Sequence, residues 1–254
     1  MSNLVFFDID GTLANGLDVP ESAQRALKIL RGKGDLVFIC TGRNPEYVKE
    51  FFGQYADGFI CCNGHYAFMG DRVLYAVPLE EAQIRDIIAR LDTVNAGYTF
   101  YGLDRGYYGG NPEGLATMAA VQNPGFVRMG LEEGMTVYSF DAWFGTPDRI
   151  EEIREALGPV AVVNPHGPHP SADMTAQGAD KGTAIRHIAQ ELGVPLEHTY
   201  AFGDGRNDVV MLRAAGHGIA MGNALDEVKS VAEHITTAID ADGVYNALRH
   251  YELI

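Results

Sequence analysis

Two aspartates two positions apart, Asp8 and Asp10, close a run of four apolar residues, Leu4-Val5-Phe6-Phe7. An uninterrupted apolar run of this length reads as a strand buried on both faces, as in a parallel sheet covered by helices. If the strand continues, side chains two apart point to the same side. Carboxylates at the carboxyl end of such a strand lie where open α/β sheets hold their ligands. Unpaired, they would repel each other and one would tend to keep its proton. A divalent cation between them removes that conflict. The plainer reading is that they end a strand, because Asp and the following Gly11 mark turns.

Further polar groups close other apolar runs. Thr41-Gly42-Arg43 follows Leu36–Cys40, Asn63-Gly64 follows Gly58–Cys62, and Gly203-Asp204-Gly205-Arg206-Asn207-Asp208 follows Thr199–Phe202. Lys181 opens a helix. Each has an ordinary alternative: a strand-end hydroxyl for Thr41, a solvated cation for Lys181 or Arg43, turn chemistry for Asp204. Taken together, the same pattern at several strand ends places them around one crevice. His166 and His169, three apart in a Pro-rich loop, could ligate a metal, but read better as loop residues that at most contact substrate. Phe100, Tyr101, Tyr107 and Tyr108 could line a pocket, but read better as core.

The elements that must position these groups alternate. Helices are expected from Pro20-Glu21, with Ala23, Ala26, Leu27 and Leu30 on one face up to Gly32 and Gly34, and from Pro45 to Tyr55. With the strands between them they imply a doubly wound parallel sheet. The rhythm then changes. A hairpin is expected over Tyr66–Pro78, helices over Ala82–Leu91 and Asp148–Leu157, and strands over Tyr98–Tyr101, Thr136–Phe144, Val160–Val163 and Ala172–Ala176. From Lys181 the alternation resumes, with helices at Lys181–Leu192, Asn207–Ala215, Ala224–Ala232 and from Asp242, and strands at Thr199–Phe202, Gly218–Met221 and His234–Thr237. The expected division is a core of residues 1–80 and 178–254, with an α+β domain, 81–177, inserted in it.

The net charge of −15 repels phosphate backbones, and no Lys/Arg run offsets it, so nucleic acid is not an expected partner. Cys40, Cys61 and Cys62 lie in apolar runs without a CxxC spacing and read as buried thiols of a reducing compartment. With no secretory leader and no membrane-length apolar stretch, a cytoplasmic enzyme without membrane association is expected.

Asp8-Ile9-Asp10-Gly11-Thr12-Leu13, Thr41-Gly42-Arg43, Lys181-Gly182 and Gly203–Asp208, in this order and spacing, resemble the haloacid dehalogenase superfamily of phosphohydrolases. Asn63-Gly64, Lys181-Gly182-Thr183-Ala184-Ile185 and Met211-Leu212 resemble its Cof-type branch, which carries a large α/β cap. The resemblance implies a Mg²⁺-dependent phosphatase acting on small phosphorylated metabolites such as sugar phosphates, its cap excluding water and choosing the leaving group. It implies that Asp8 attacks phosphorus to form an aspartyl-phosphate, and that Asp10 serves as acid and then base. Thr41 and the Gly42 amide would hold phosphate oxygens. Lys181 would neutralise charge, and Asn207, Asn63 and Arg43 are further candidates for phosphate or substrate. Mg²⁺, a hard ion, would take Asp8, the Asp10 carbonyl and Asp204, with Asp208 orienting its waters; the motif has no His or Cys to suit Zn²⁺. Alternatives are a phosphomutase or phosphotransferase on the same core, or a non-enzymatic phospho-receiver. The expected state is a monomer or homodimer.

Overall fold

The computed structural model describes residues 2–120 and 126–254. Along the chain come β1 (Leu4–Phe7), α1 (Glu21–Lys33), β2 (Leu36–Cys40), α2 (Pro45–Phe52), β3 (Gly58–Cys61), β4 (Tyr66–Met69) and β5 (Arg72–Ala76). Next are α3 (Glu81–Thr93), β6 (Gly97–Tyr101), β7 (Gly106–Gly110), α4 (Leu115–Ala120), β8 (Val127–Met129), β9 (Ser139–Trp143), α5 (Ile150–Leu157), β10 (Ala161–Pro165) and β11 (Ser171–Ala176). The chain finishes with α6 (Lys181–Glu191), β12 (Thr199–Gly203), α7 (Val209–Ala214), β13 (His217–Ala220), α8 (Asp226–Lys229), β14 (His234–Ile235) and α9 (Gly243–His250).

Two compact units result. The first comprises Met1–Thr41, Val48–Ala76 and Asp180–Ile254; the second comprises Gly42–Tyr47 and Val77–Ala179. The first is built on an eight-stranded sheet of order β14-β13-β12-β1-β2-β3-β4-β5. The strands from β14 to β3 are parallel, and the β4–β5 hairpin adds an antiparallel edge. From β1 the chain winds outward one way through β2 and β3, and after the insertion the other way through β12, β13 and β14. This is the doubly wound α/β arrangement, and its switch point lies beside β1.

The buried apolar runs explain the order. All four residues of β1 are inaccessible, and Phe7 stacks on Phe202 at 4.7 Å while Phe6 meets Phe38 at 5.3 Å. Each such side chain contributes about 1.5–3 kcal/mol on burial. α1 buries Ala23, Ala26, Leu27 and Leu30, the expected face. Pro20 caps this helix from outside, its ψ of 141° extended, instead of occupying the first turn. The third strand stops at Cys61, because Cys62 and Asn63 take φ values of 55° and 52°. The helix expected over Ala224–Ala232 is confined to Asp226–Lys229, since the Glu233 amide already bonds Gly218 O as the chain enters β14.

The second unit has a six-stranded sheet, β10-β11-β9-β6-β7-β8, antiparallel except for β7 with β8. One face carries its apolar core: Phe100, Phe140, Ala142, Ala172 and Met174, with Ile84, Ile87 and Leu91 of α3 and Ile153 and Leu157 of α5. The sequence reading did not resolve β7, α4 or β8. In Gly106-Tyr107-Tyr108-Gly109-Gly110 the glycines blur the alternation, yet the Tyr98 ring needs them. A Cβ on Gly109 would stand 2.5 Å from that ring. Phe100 and Tyr107 belong to the apolar core, and Tyr108 is buried with Met118 and Trp143.

Candidate active site

β1 ends at Phe7, so strand alternation does not carry Asp8 and Asp10 to one side. Asp8 prolongs the ladder by one bond, its amide donating to Phe202 O at 3.0 Å, and it is buried. Asp10 lies in the turn beyond, is exposed, and bridges to Ala14. Gly11 makes this turn with φ of +87°, and any Cβ there would sit 2.4 Å from Asp204 Oδ2. Only glycine meets both conditions.

Lys181 is the first residue of α6, whose N-cap Asp180 accepts from the Thr183 amide at 2.6 Å. Its ammonium is 1% exposed and donates to Asp8 Oδ1 at 2.6 Å and to Asp208 Oδ1 at 2.7 Å. The second oxygen of Asp208 accepts from the amides of Asp204 and Gly205, each at 3.0 Å. Asp208 is therefore a fully buried strut, locking the 203–208 loop to Lys181. Asp204 accepts from Thr12 Oγ1 at 2.7 Å. Asn207 Nδ2 donates to Asn63 Oδ1 at 3.0 Å, and the Asn63 amide donates to Thr41 O at 3.1 Å. The left-handed backbone of Asn63, a conformation asparagine tolerates better than most residues, sets up both bonds. Thr41 is buried, its amide bonded to Ile60 O.

The electrostatics of this cluster are unbalanced. Oxygens of Asp8, Asp204 and Asp208 all lie within 4.8 Å of one another. One lysine faces three carboxylates. Burial, and then the charge of Asp208, push Asp8 well above the usual carboxylate range despite Lys181. Burial takes Asp204 up to about 6, against the pull of the Thr12 bond. Burial alone would depress Lys181, but Asp208 and Asp8 together raise it well above its ordinary value. Such a set of hard oxygen donors short of positive charge fits a small dication. Oxygens opposite each other across Mg²⁺ stand about 4.2 Å apart at the usual ~2.1 Å bond length. Among the described residues this is the one grouping of three or more Asp, Glu, His or Cys side chains with metal-ligand geometry, and it includes neither His166 nor His169.

In the second unit, Arg43 packs its guanidinium 4.9 Å from the Tyr47 ring centre. The sheet face opposite the apolar core carries a row in strict register: Thr99 on β6, Asp141 on β9, Asp173 on β11 and Asn164 on β10. Asp141 accepts from Tyr101 Oη at 3.0 Å. Burial lifts its carboxyl to about 6, with His166 and Arg43 among the groups opposing the shift. His166 Nδ1 bonds Ser171 Oγ at 2.9 Å, and its Nε2 is 3.4 Å from Asp173. Burial lowers its pKa, yet Asp173 and Asp141 more than reverse this, so it is raised overall. Thr99 Oγ1 and Asn164 Oδ1 are buried without a hydrogen-bond partner among the described residues.

Sequence reasoning quoted Thr12 within its motif but gave it no role, and missed this polar row and Asn223, which bonds Gly11 O at 2.8 Å. For the row, the signal was polar residues alternating with apolar ones along β6, β9 and β11.

A doubly wound core with an acidic, lysine-buttressed cluster at its strand ends, interrupted by an α+β insertion, defines a phosphohydrolase of the subclass IIB, or Cof-type, architecture. The profile of haloacid dehalogenase-like hydrolases matches residues 5–248, and the chain belongs to that family. It is 31% identical to a provisionally named phosphatase of Bacillus subtilis (strain 168), YkrA, over all of this chain and 99% of that one. Identity to pyridoxal phosphate phosphatase YbhA of Escherichia coli (strain K12) is 28%, over 97% and 99% of the two chains. The solved HAD subclass IIB sugar phosphatase BT4131 superposes with a TM-score of 0.83 at 30% identity, each chain covered completely. The protein is an enzyme of the phosphatase class, acting on small phosphorylated compounds. Among the described residues no helix is long and apolar enough to cross a membrane.

Proposed function

We propose that the protein is a Mg²⁺-dependent phosphatase that hydrolyses phosphomonoesters of small hydroxyl-rich metabolites, sugar phosphates or close relatives, through an aspartyl-phosphate on Asp8. The observation that carries this reading is the Lys181 ammonium held between Asp8 and Asp208, with Asp204 beside them. Asp8, the Asp10 carbonyl and Asp204 would hold the ion, Asp208 fixing their loop. When bound, Mg²⁺ supplies the positive charge that lets a carboxylate approach a phosphate dianion.

The chain's own residues do the rest. An Asp8 oxygen forms a bond to phosphorus as the ester P–O bond breaks, and Asp10 gives its proton to the departing alkoxide. Water then attacks phosphorus, Asp10 takes its proton, and orthophosphate leaves Asp8 free. The exposed turn suits Asp10 to this shuttling, whereas buried Asp8 does not exchange protons readily with solvent. Lys181 stabilises charge on the nucleophile and the transferring group. Thr41, the Gly42 amide, Arg43, Asn63 and Asn207 are the candidates for phosphate and substrate.

A hydroxyl-rich leaving group is supported by the likeness to BT4131, whose structure is described as that of a sugar phosphatase. Three buried free cysteines suit a cytoplasmic setting.

The test is phosphate release from a panel of phosphorylated metabolites, with Mg²⁺ and with chelator. Free phosphate from sugar phosphates that vanishes on chelation is expected. Isomerised sugar phosphate in its place would mean a mutase, and turnover unaffected by chelation would remove the metal.

A further inference from the structure

Gly11 is followed in space by a residue 212 positions away. Asn223, in the turn after β13, donates from Nδ2 to Gly11 O at 2.8 Å and accepts at Oδ1 from the Ile239 amide at 3.0 Å. Its own turn is fixed on both sides. The Met221 amide bonds Gly203 O and the Leu225 amide bonds Asp204 O, at 3.0 and 3.1 Å, while the Gly222 amide bonds Thr237 O at 3.0 Å. The Asn223 side chain thus joins the turn that carries Asp10 to the segment entering α9, while the backbone on either side of it holds the loop that carries Asp204.

Both polar groups of Gly11's backbone are occupied, its amide by Ala14 O at 3.0 Å and its carbonyl by Asn223. This matters because glycine in a left-handed turn is the residue with most freedom to lose. A second side-chain tie between this turn and the C-terminal loops runs from Thr12 Oγ1 to Asp204 at 2.7 Å. The residue directly before Gly11 is Asp10, exposed on the same turn.

We infer that Asn223 is a positioning residue for Asp10: by pinning the Gly11 peptide it keeps the Asp10 carboxyl aimed at the leaving-group oxygen. The inference rests on the proton-transfer role proposed for Asp10. A misplacement of about 1 Å costs on the order of a hundredfold where geometry is demanding. An exposed carboxyl on a loosened turn still samples the right place, so a loss of about tenfold is expected.

The leaving group reads this directly. Protonation matters for an alkoxide and hardly at all for dinitrophenolate, which departs as a stable anion. kcat/KM, which reports steps up to cleavage of the ester, is measured on dinitrophenyl, phenyl and glycerol phosphates for the wild type, Asn223→Ala, Asn223→Asp and Asp10→Asn, with a melting temperature for each. Asn223→Asp keeps an acceptor for the Ile239 amide and loses the donor to Gly11. Both Asn223 variants should lose about tenfold on glycerol phosphate and less than threefold on dinitrophenyl phosphate, a weaker copy of the Asp10→Asn pattern. Equal loss on all three esters, or none, overturns the positioning role, as does selectivity in Asn223→Ala that Asp10→Asn does not share. If Asp10→Asn shows no selectivity, the proton-transfer reading itself fails, a result separable from the others.

Discussion

Asp8 and Asp141 are each 8% exposed, yet they are furnished differently. Asp8 has a buried ammonium at 2.6 Å and two more carboxylates close by. Asp141 has a tyrosine hydroxyl at 3.0 Å and feels His166 and Arg43 only at longer range. Burial raises both carboxyls. At Asp8 the excess is of negative charge in a set of hard donors, which suits a dication. At Asp141 the carboxyl stands in register between Asp173 and Thr99, whose hydroxyl oxygen is buried without a partner among the described residues, and this suits hydrogen-bond donors. Equal burial therefore says little about what a carboxylate does; the neighbours decide.

Four substitutions test this contrast. Asp8→Asn should reduce phosphate release at least about a thousandfold, as removal of a covalent nucleophile does. Persistent turnover of the purified variant would remove the proposed chemistry. Lys181→Met should also inactivate, and at pH 7 it should destabilise by about 3–5 kcal/mol, because Asp8 and Asp208 stay buried without their cation. An unchanged denaturation midpoint would show that the carboxylates do not depend on it.

Asp141→Asn should act in the opposite sense on stability. With a native pKa of about 6 above its unfolded value, Asp141 makes its full contribution below the unfolded pKa, and loses it as pH rises through about 6. Replacement by the neutral amide should therefore raise the melting temperature at pH 7.5, by about 1–2 kcal/mol in free energy, with little gain at pH 4.5. A gain that is the same at both pH values would contradict this. Arg72→Ala, which breaks the exposed Arg72–Glu191 pair, should alter stability by less than about 1 kcal/mol; a larger loss in thermal unfolding would show that a pair open to solvent can matter as much as the buried Lys181 pairs.

The sequence by itself determined the strand–helix alternation of the core and the places where its polar groups fall. Continuous apolar runs such as Leu4–Phe7 and Leu36–Cys40 bury on both faces wherever they go, and residues just past them must emerge at a sheet end. The motif order from Asp8 to Asp208 made the family legible for the same reason. It did not determine the extent of α8 or the existence of β7, where glycines serve a ring from another strand. Only the tertiary structure decided that Lys181 spans Asp8 and Asp208, 173 and 27 positions away. It also decided that Asp208 is spent on the amides of its own loop, that Gly42 and Arg43 group with the second unit, and that Thr99, Asp141, Asp173 and Asn164 stand in one row. Hydrophobic pattern is a local property with a fixed period. Which charge ends beside which depends on strand register and loop closure over the whole chain, and no local spacing encodes that.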